Sequence, residues 1–173
     1  MMTAALSGTP GVGKTTISDI LREMGYDVLD LNELVHKEEL TGEKDEERDT
    51  YEVDISMIKQ KFFDLFKKYD IVEGHLTHHL GLSPVIILRC SPQELGRRMI
   101  SKRWSKKKVE ENLLAEILDV ILLEALEMEV KDIYEIDTTD KVPVEIGNDI
   151  QNILNGNTEK YAYGKIDWSE HLE

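Results

Sequence analysis

Apolar residues fall along this chain in two rhythms. Unbroken or nearly unbroken apolar runs occupy Thr3–Ser7, Asp27–Leu31, Asp70–Glu73, Val85–Cys90 and Ile133–Thr138. Runs this short and this apolar predict strands covered on both faces of a parallel sheet. Between them the apolar positions recur at helical spacing. Thr15–Met24 is the first such segment. Ile55–Lys68 carries Ile55, Ile58, Phe62, Phe63, Leu65 and Phe66, and a single long helix is expected over Lys107–Val130, with Val109, Leu113, Leu114, Ile117, Ile121, Leu122 and Leu126. Val144–Leu154 follows Pro143, a favourable first-turn residue. Strand–helix alternation of this kind predicts an α/β, doubly wound fold. The segment Asn155–Glu173 is polar with Tyr161, Tyr163 and Trp168, and reads as either a frayed tail or an arm that docks back.

Composition narrows the class. The 173 residues are one domain's worth, 40% hydrophobic and 32% charged, which excludes a disordered or fibrous chain. No apolar run approaches the ~20 residues of a membrane span, and a signal-peptide layout is missing at the N-terminus. Cys90 is the one cysteine, so an intramolecular disulfide and a cysteine-based zinc site are excluded, and a cytoplasmic setting is expected. The net charge of −14 argues against general nucleic-acid binding. That charge is unevenly spread. Nine acids lie between Glu38 and Asp54, whereas Arg97, Arg98, Lys102, Arg103, Lys106, Lys107 and Lys108 form a basic segment without an acid.

The strongest motif is Gly8-Thr9-Pro10-Gly11-Val12-Gly13-Lys14-Thr15, a complete G-x-x-x-x-G-K-[ST] loop placed after a strand and opening a helix. Gly11 and Gly13 let backbone N–H groups turn towards phosphate oxygens, and the helix N-terminus adds partial positive charge. Lys14 is expected on the β- and γ-phosphates, the Thr15 hydroxyl on Mg²⁺ and Thr16 on the α-phosphate of ATP. Glu73, at the end of an apolar strand, is the candidate carboxylate for the Mg²⁺ shell, directly or through water. His75 is a candidate for orienting a water or a phosphate. His78 and His79 follow closely, but three histidines at this spacing on a loop, with no cysteines nearby, are weak evidence for a metal, and no zinc is expected. The basic segment reads as a lid closing over ATP, with Arg103 offsetting phosphate charge and Trp104 covering adenine or anchoring the lid; a solvated basic face is the alternative. A regulatory GTPase is disfavoured, since no Asn-Lys-x-Asp segment occurs.

These segments resemble the atypical adenylate kinase family, also described as a coilin-interacting nuclear ATPase and a ribosome-biogenesis factor. The resemblance covers most of residues 1–154. It rests on the loop Gly8–Thr16, the strand end Ile71–His75, the acidic Glu38-Glu39 and Asp45-Glu46-Glu47, and Arg103-Trp104-Ser105-Lys106-Lys107-Lys108 ahead of Asn112 and Glu116. It implies a P-loop NTPase fold of nucleoside monophosphate kinase type, with a five-stranded parallel sheet, helices on both faces and a short lid. A domain over 1–154, monophosphate binding at about 30–54, a lid at about 102–112 and a tail at 155–173 follow from it. So do the reaction ATP + AMP = 2 ADP, an ATPase activity, and a basic platform ribosomal protein of the small subunit as partner in rRNA maturation. Glu73-Gly74-His75 stands where the family often reads Asp-x-His. The acidic Glu38–Asp54 segment would attract a basic partner in place of RNA phosphates, or serve simply as a solvated face.

Overall fold

The computed structural model describes residues 2–46 and 50–172. Five strands, β1 (Ala4–Gly8), β2 (Val28–Asp30), β5 (Ile71–Glu73), β6 (Val85–Arg89) and β7 (Ile133–Asp137), form one sheet in the order β2-β5-β1-β6-β7. Every pairing in it is parallel. β1 is therefore central, and its C-terminal end is flanked by the ends of β5 and β6.

The pleat explains the unbroken apolar runs. Ala4, Leu6, Ile71, Ile86, Leu88 and Ile136 point to one side, where α1 (Lys14–Glu23), α4 (Pro92–Ser101) and α7 (Pro143–Leu154) bury Ile17, Leu21, Leu95, Met99 and Ile150. Ala5, Val72, Val85, Ile87 and Ile133 point to the other. There α2 (Leu31–Lys37), α3 (Ile55–Phe66) and α6 (Val120–Glu127) supply Val35, Ile58, Phe62, Phe66 and Leu122. Both faces are covered, as the doubly wound expectation requires. No described helix is long and apolar enough to cross a membrane.

The expected single helix over Lys107–Val130 is instead two, α5 (Lys106–Ile117) and α6, broken at Leu118-Asp119. Asp119 adopts a left-handed backbone (φ 53°) and its carboxylate reaches Arg89. The physical reason lies in the sheet. Val109 and Leu113 of α5 pack against the first core layer, whereas Leu122 and Ala125 of α6 belong to the second. A straight helix cannot serve both. The basic segment is likewise divided. Arg97 and Arg98 sit on α4, where both pair with Glu94, and only Lys102–Lys108 form the loop after α4 and the first turn of α5.

Between α2 and α3 the acidic segment forms an antiparallel hairpin, β3 (Thr41–Asp45) with β4 (Thr50–Val53). Glu47 and Asp49 of that segment lie outside the described residues. Beyond α7 the chain lies back on the domain. Tyr161 is buried, its hydroxyl donates to Asp149 (2.6 Å), Ala162 bridges Tyr134, and the Gly164 N–H donates to Glu135 (2.7 Å).

Candidate active site at the carboxyl end of the sheet

The loop from Gly8 to Gly13 leaves the central strand at the end of the sheet where α/β proteins bind ligands. Gly8 (φ 150°) has no room for a side chain, because a Cβ would lie 2.7 Å from the Leu88 carbonyl oxygen. Gly13 (φ 110°) is the left-handed residue that turns the chain into α1. Two clamps hold the loop. From behind, the Arg98 guanidinium donates to the carbonyls of Val12 (3.0 Å) and Thr138 (3.1 Å). From above, the Thr9 hydroxyl donates to Glu116 Oε2 on α5 (2.5 Å).

Glu116 is buried and spends its other oxygen on Arg89 Nε (2.8 Å) and the Cys90 N–H (3.1 Å). Arg89 in turn bonds Glu135 and Asp119, so one buried guanidinium meets three carboxylates. Burial opposes its charge, and Glu116 and Glu135 more than offset that, raising its pKa. Sequence reasoning assigned Glu116 no chemistry, because a glutamate on a helix is an ordinary surface residue. Its signal is spatial only.

Lys14 lies under the loop, its ammonium donating to the carbonyls of Gly8 (2.5 Å) and Thr9 (3.3 Å). Burial pulls its pKa down to about 8, against the pull of Glu73 and Glu116. Glu73 is buried at the end of β5, where the register sets it between Leu6 and Asp30. Its pKa rises to about 7, first through burial and then through the Asp30 carboxylate. Asp30, which also caps α2 by accepting from the Glu33 N–H (2.9 Å), completes a carboxyl pair that sequence reasoning missed. Thr15 and Thr16 are exposed at the mouth of α1. A threonine hydroxyl with carboxylate oxygens is the hard donor set that suits Mg²⁺, so these residues fit the ion that ATP brings.

His75, half-buried, has its pKa lowered to about 4 by burial and by Lys14. It is a neutral imidazole at pH 7, able to orient a water or phosphate but not to neutralise charge. Two cavities of about 260 Å³ meet at it. One lies between α2 and the hairpin, lined by Asn32, His36, Thr41, Tyr51 and Val53; the other lies between the nucleotide loop and α5, lined by Thr9, Lys108, Asn112 and Glu124. Arg103, in a left-handed conformation (φ 58°) between α4 and α5, is exposed. Trp104 packs against the first core layer under Lys102 and Lys108, and so anchors the loop between α4 and α5.

The raised pKa of Glu73 has a consequence for folding. The unfolded carboxyl ionises first, so stability falls as pH rises from about 4.5 to about 7 and stays lower above that. Glu73→Gln is therefore expected to stabilise the nucleotide-free protein at pH 8 by about 1–2 kcal/mol, with the gain vanishing towards pH 4.5. Thermal melts at the two pH values check this, and an equal difference at both would refute it.

The AAA domain family profile matches residues 5–119. Among curated proteins, the chain is 40% identical over 178 residues to a "Putative adenylate kinase" of Methanocaldococcus jannaschii, covering 98% of this chain and 94% of that protein. A protein of the same name from Archaeoglobus fulgidus is 41% identical, with 99% and 94% covered. One from Natronomonas pharaonis is 37% identical, with 99% and 100% covered. Among solved structures, shikimate kinase from Acinetobacter baumannii in complex with shikimate shares the fold at TM-score 0.57 and 18% identity, covering 91% of this chain and 94% of that one. With a complete nucleotide loop on a five-stranded parallel sheet and near-full-length relatives at about two-fifths identity, the chain belongs to the P-loop kinase family of these archaeal adenylate kinase homologues.

Proposed function

We propose that this chain is a nucleoside monophosphate kinase that transfers the terminal phosphoryl group of ATP to AMP, giving two ADP. The observation that carries it is the second cavity. A nucleotide hydrolase needs one nucleotide site, whereas here a separate pocket between α2 and the hairpin opens on His75 beside the phosphate loop. The names of the relatives support adenylate as the acceptor. In the reaction an oxygen of the AMP phosphate attacks the γ-phosphorus, the bond to the β–γ bridging oxygen breaks, and ADP leaves. Thr15 and Glu73 would hold Mg²⁺, which would supply positive charge against the phosphate oxygens. Lys14 follows the transferring group, the backbone N–H groups from Gly11 to Thr16 hold ATP, and His75 orients the acceptor. Arg103 closes from the lid and excludes water.

Products are measured with ATP alone, then with AMP, CMP or UMP added. ADP formed at twice the rate of AMP loss supports the kinase. Phosphate release that ignores every monophosphate refutes it. Arg103→Ala is expected to lower kcat by about tenfold or more while stability changes by less than about 0.5 kcal/mol, because the side chain is exposed. Equal turnover in mutant and parent would remove Arg103 from the site.

One observation favours a second role, an ATP-gated assembly factor with ATPase activity in small-subunit rRNA maturation. Glu39, Glu43, Glu46 and Glu52 are exposed around the hairpin, a field that repels AMP and attracts a basic protein such as a platform ribosomal protein. Binding of such a protein would weaken steeply between roughly 50 and 200 mM salt, and RNA would compete. Replacing Glu46, Glu47 and Asp49 with their amides should weaken it further while ATP binding survives. Unchanged affinity leaves the segment a solvated face.

A further inference from the structure

We propose that His78, His79 and Glu124 form a second metal site, for a divalent transition ion of the zinc type, separate from the Mg²⁺ that accompanies ATP. A short 3₁₀ turn, Thr77–His79, carries both histidines, and the fold brings Glu124 of α6 to them across 46 positions of sequence. His78 Nε2 lies 2.8 Å and His79 Nε2 3.4 Å from the same oxygen, Glu124 Oε2. The three ligand atoms all lie within 4.8 Å of one another. A tetrahedral zinc ion with bonds of about 2.0–2.1 Å separates its ligand atoms by about 3.3 Å, a spacing that the two observed separations bracket.

The chemistry of the donor set excludes the hard cations. Two imidazole nitrogens and one carboxylate suit zinc, cobalt or nickel, whereas Mg²⁺ prefers oxygen donors and retains its waters. Three protein ligands leave one position for water. The exposure of His79 (26%) and Glu124 (40%) gives that position access to solvent.

A supporting contact sits behind the first ligand. His78 is buried, and its other ring nitrogen, Nδ1, lies 3.0 Å from the Ser7 hydroxyl. Ser7 can turn its own proton to the His75 carbonyl (3.5 Å) and accept from Nδ1–H. Without an ion Nε2–H donates to Glu124 Oε2; on metal binding the proton would move to Nδ1, facing Ser7, and free the Nε2 lone pair for the ion, with Ser7 as the partner that orients the ring. Ser7 is also the residue before Gly8. An ion at this site would tie the 3₁₀ turn, α6 and the root of the nucleotide loop together, bordering the cavity that Glu124 shares with Thr9 and Asn112.

The test is titration of the nucleotide-free full chain with Zn²⁺ by calorimetry, and with Co²⁺ by its visible absorption. Expected are one equivalent bound at low-micromolar affinity, intense tetrahedral Co²⁺ bands, and no displacement by millimolar Mg²⁺. Glu124→Gln retains a hydrogen-bonding partner for buried His78, and His79→Gln leaves His78 untouched, so both variants should fold. Each is expected to weaken Zn²⁺ binding by at least about tenfold, and Ser7→Ala by about tenfold. Absence of binding, or binding unchanged in both ligand variants, overturns the proposal and leaves the cluster a hydrogen-bonded latch between the turn and α6.

Discussion

Lys14→Ala is expected to reduce kcat by about a thousandfold or more, while ATP affinity falls much less. Loss of one preorganised donor aimed at developing charge raises a barrier by roughly 3–4 kcal/mol, and Lys14 brings a full charge as well. Its position explains the split between rate and binding. The ammonium sits on the carbonyls of Gly8 and Thr9, among the fields of Glu73 and Glu116, so it is already oriented before chemistry begins. Under the proposed function, ground-state ATP is held mainly by loop N–H groups, which the substitution leaves in place. Single-turnover rates and equilibrium nucleotide binding separate the two quantities, and a near-normal kcat would remove the phosphate loop from the mechanism.

Arg89→Met is expected to destabilise the fold by about 3–5 kcal/mol, the usual loss when one member of a buried ionic cluster is removed. Glu116, Glu135 and Asp119 would then face one another with no cation between them, and Glu116 and Glu135 are almost wholly buried. For a chain of this size that is a fall in melting temperature of roughly 6–20 °C. Glu116→Gln keeps a donor–acceptor group in place and should cost far less. A loss below about 1 kcal/mol for Arg89→Met would show that the cluster is largely hydrated. Activity in the surviving fraction should also fall, because Glu116 is the anchor for Thr9.

The parts of the fold that local rules govern were legible in the chain. The five apolar runs became the five strands, shifted by at most one residue at their ends. The phosphate loop was legible because its glycines answer a backbone requirement that no other residue meets at Gly8 and Gly13. What escaped was set by contacts distant in sequence. The apolar pattern over Lys107–Val130 is continuous, and nothing in it shows that the first half faces one layer and the second half the other. The break needs Arg89, thirty positions away, to draw Asp119 inwards. α2 was hidden by its brevity, and its cap Asp30 looked like the polar end of a strand. α4 was hidden by the basic residues on its outer face, although Ser91-Pro92 and Glu94 carry an ordinary helix start. Of the candidate site residues, Lys14, Glu73 and His75 converge at one end of the sheet, and Arg103 is exposed on the loop between α4 and α5. Asp30, Glu116 and Glu124 join them only through the fold.

The N–H of Gly164 gives the Arg89 cluster a temporal property. Glu135 completes its hydrogen bonding with a residue that follows the phosphate loop by some 150 positions. A growing polypeptide can pair β1 with β5 and β6 early, yet it meets an incompletely satisfied carboxylate in its interior until residue 164 has been made. The contact closes a loop of only 29 positions, shorter than those that join β1 to β5 and β6, so its lateness comes from the order of synthesis alone. The nucleotide loop is braced through Glu116 to this same cluster. A chain that has not yet reached Gly164 is therefore expected to hold the nucleotide loop less firmly, and a ligand that binds only the finished form would favour its completion.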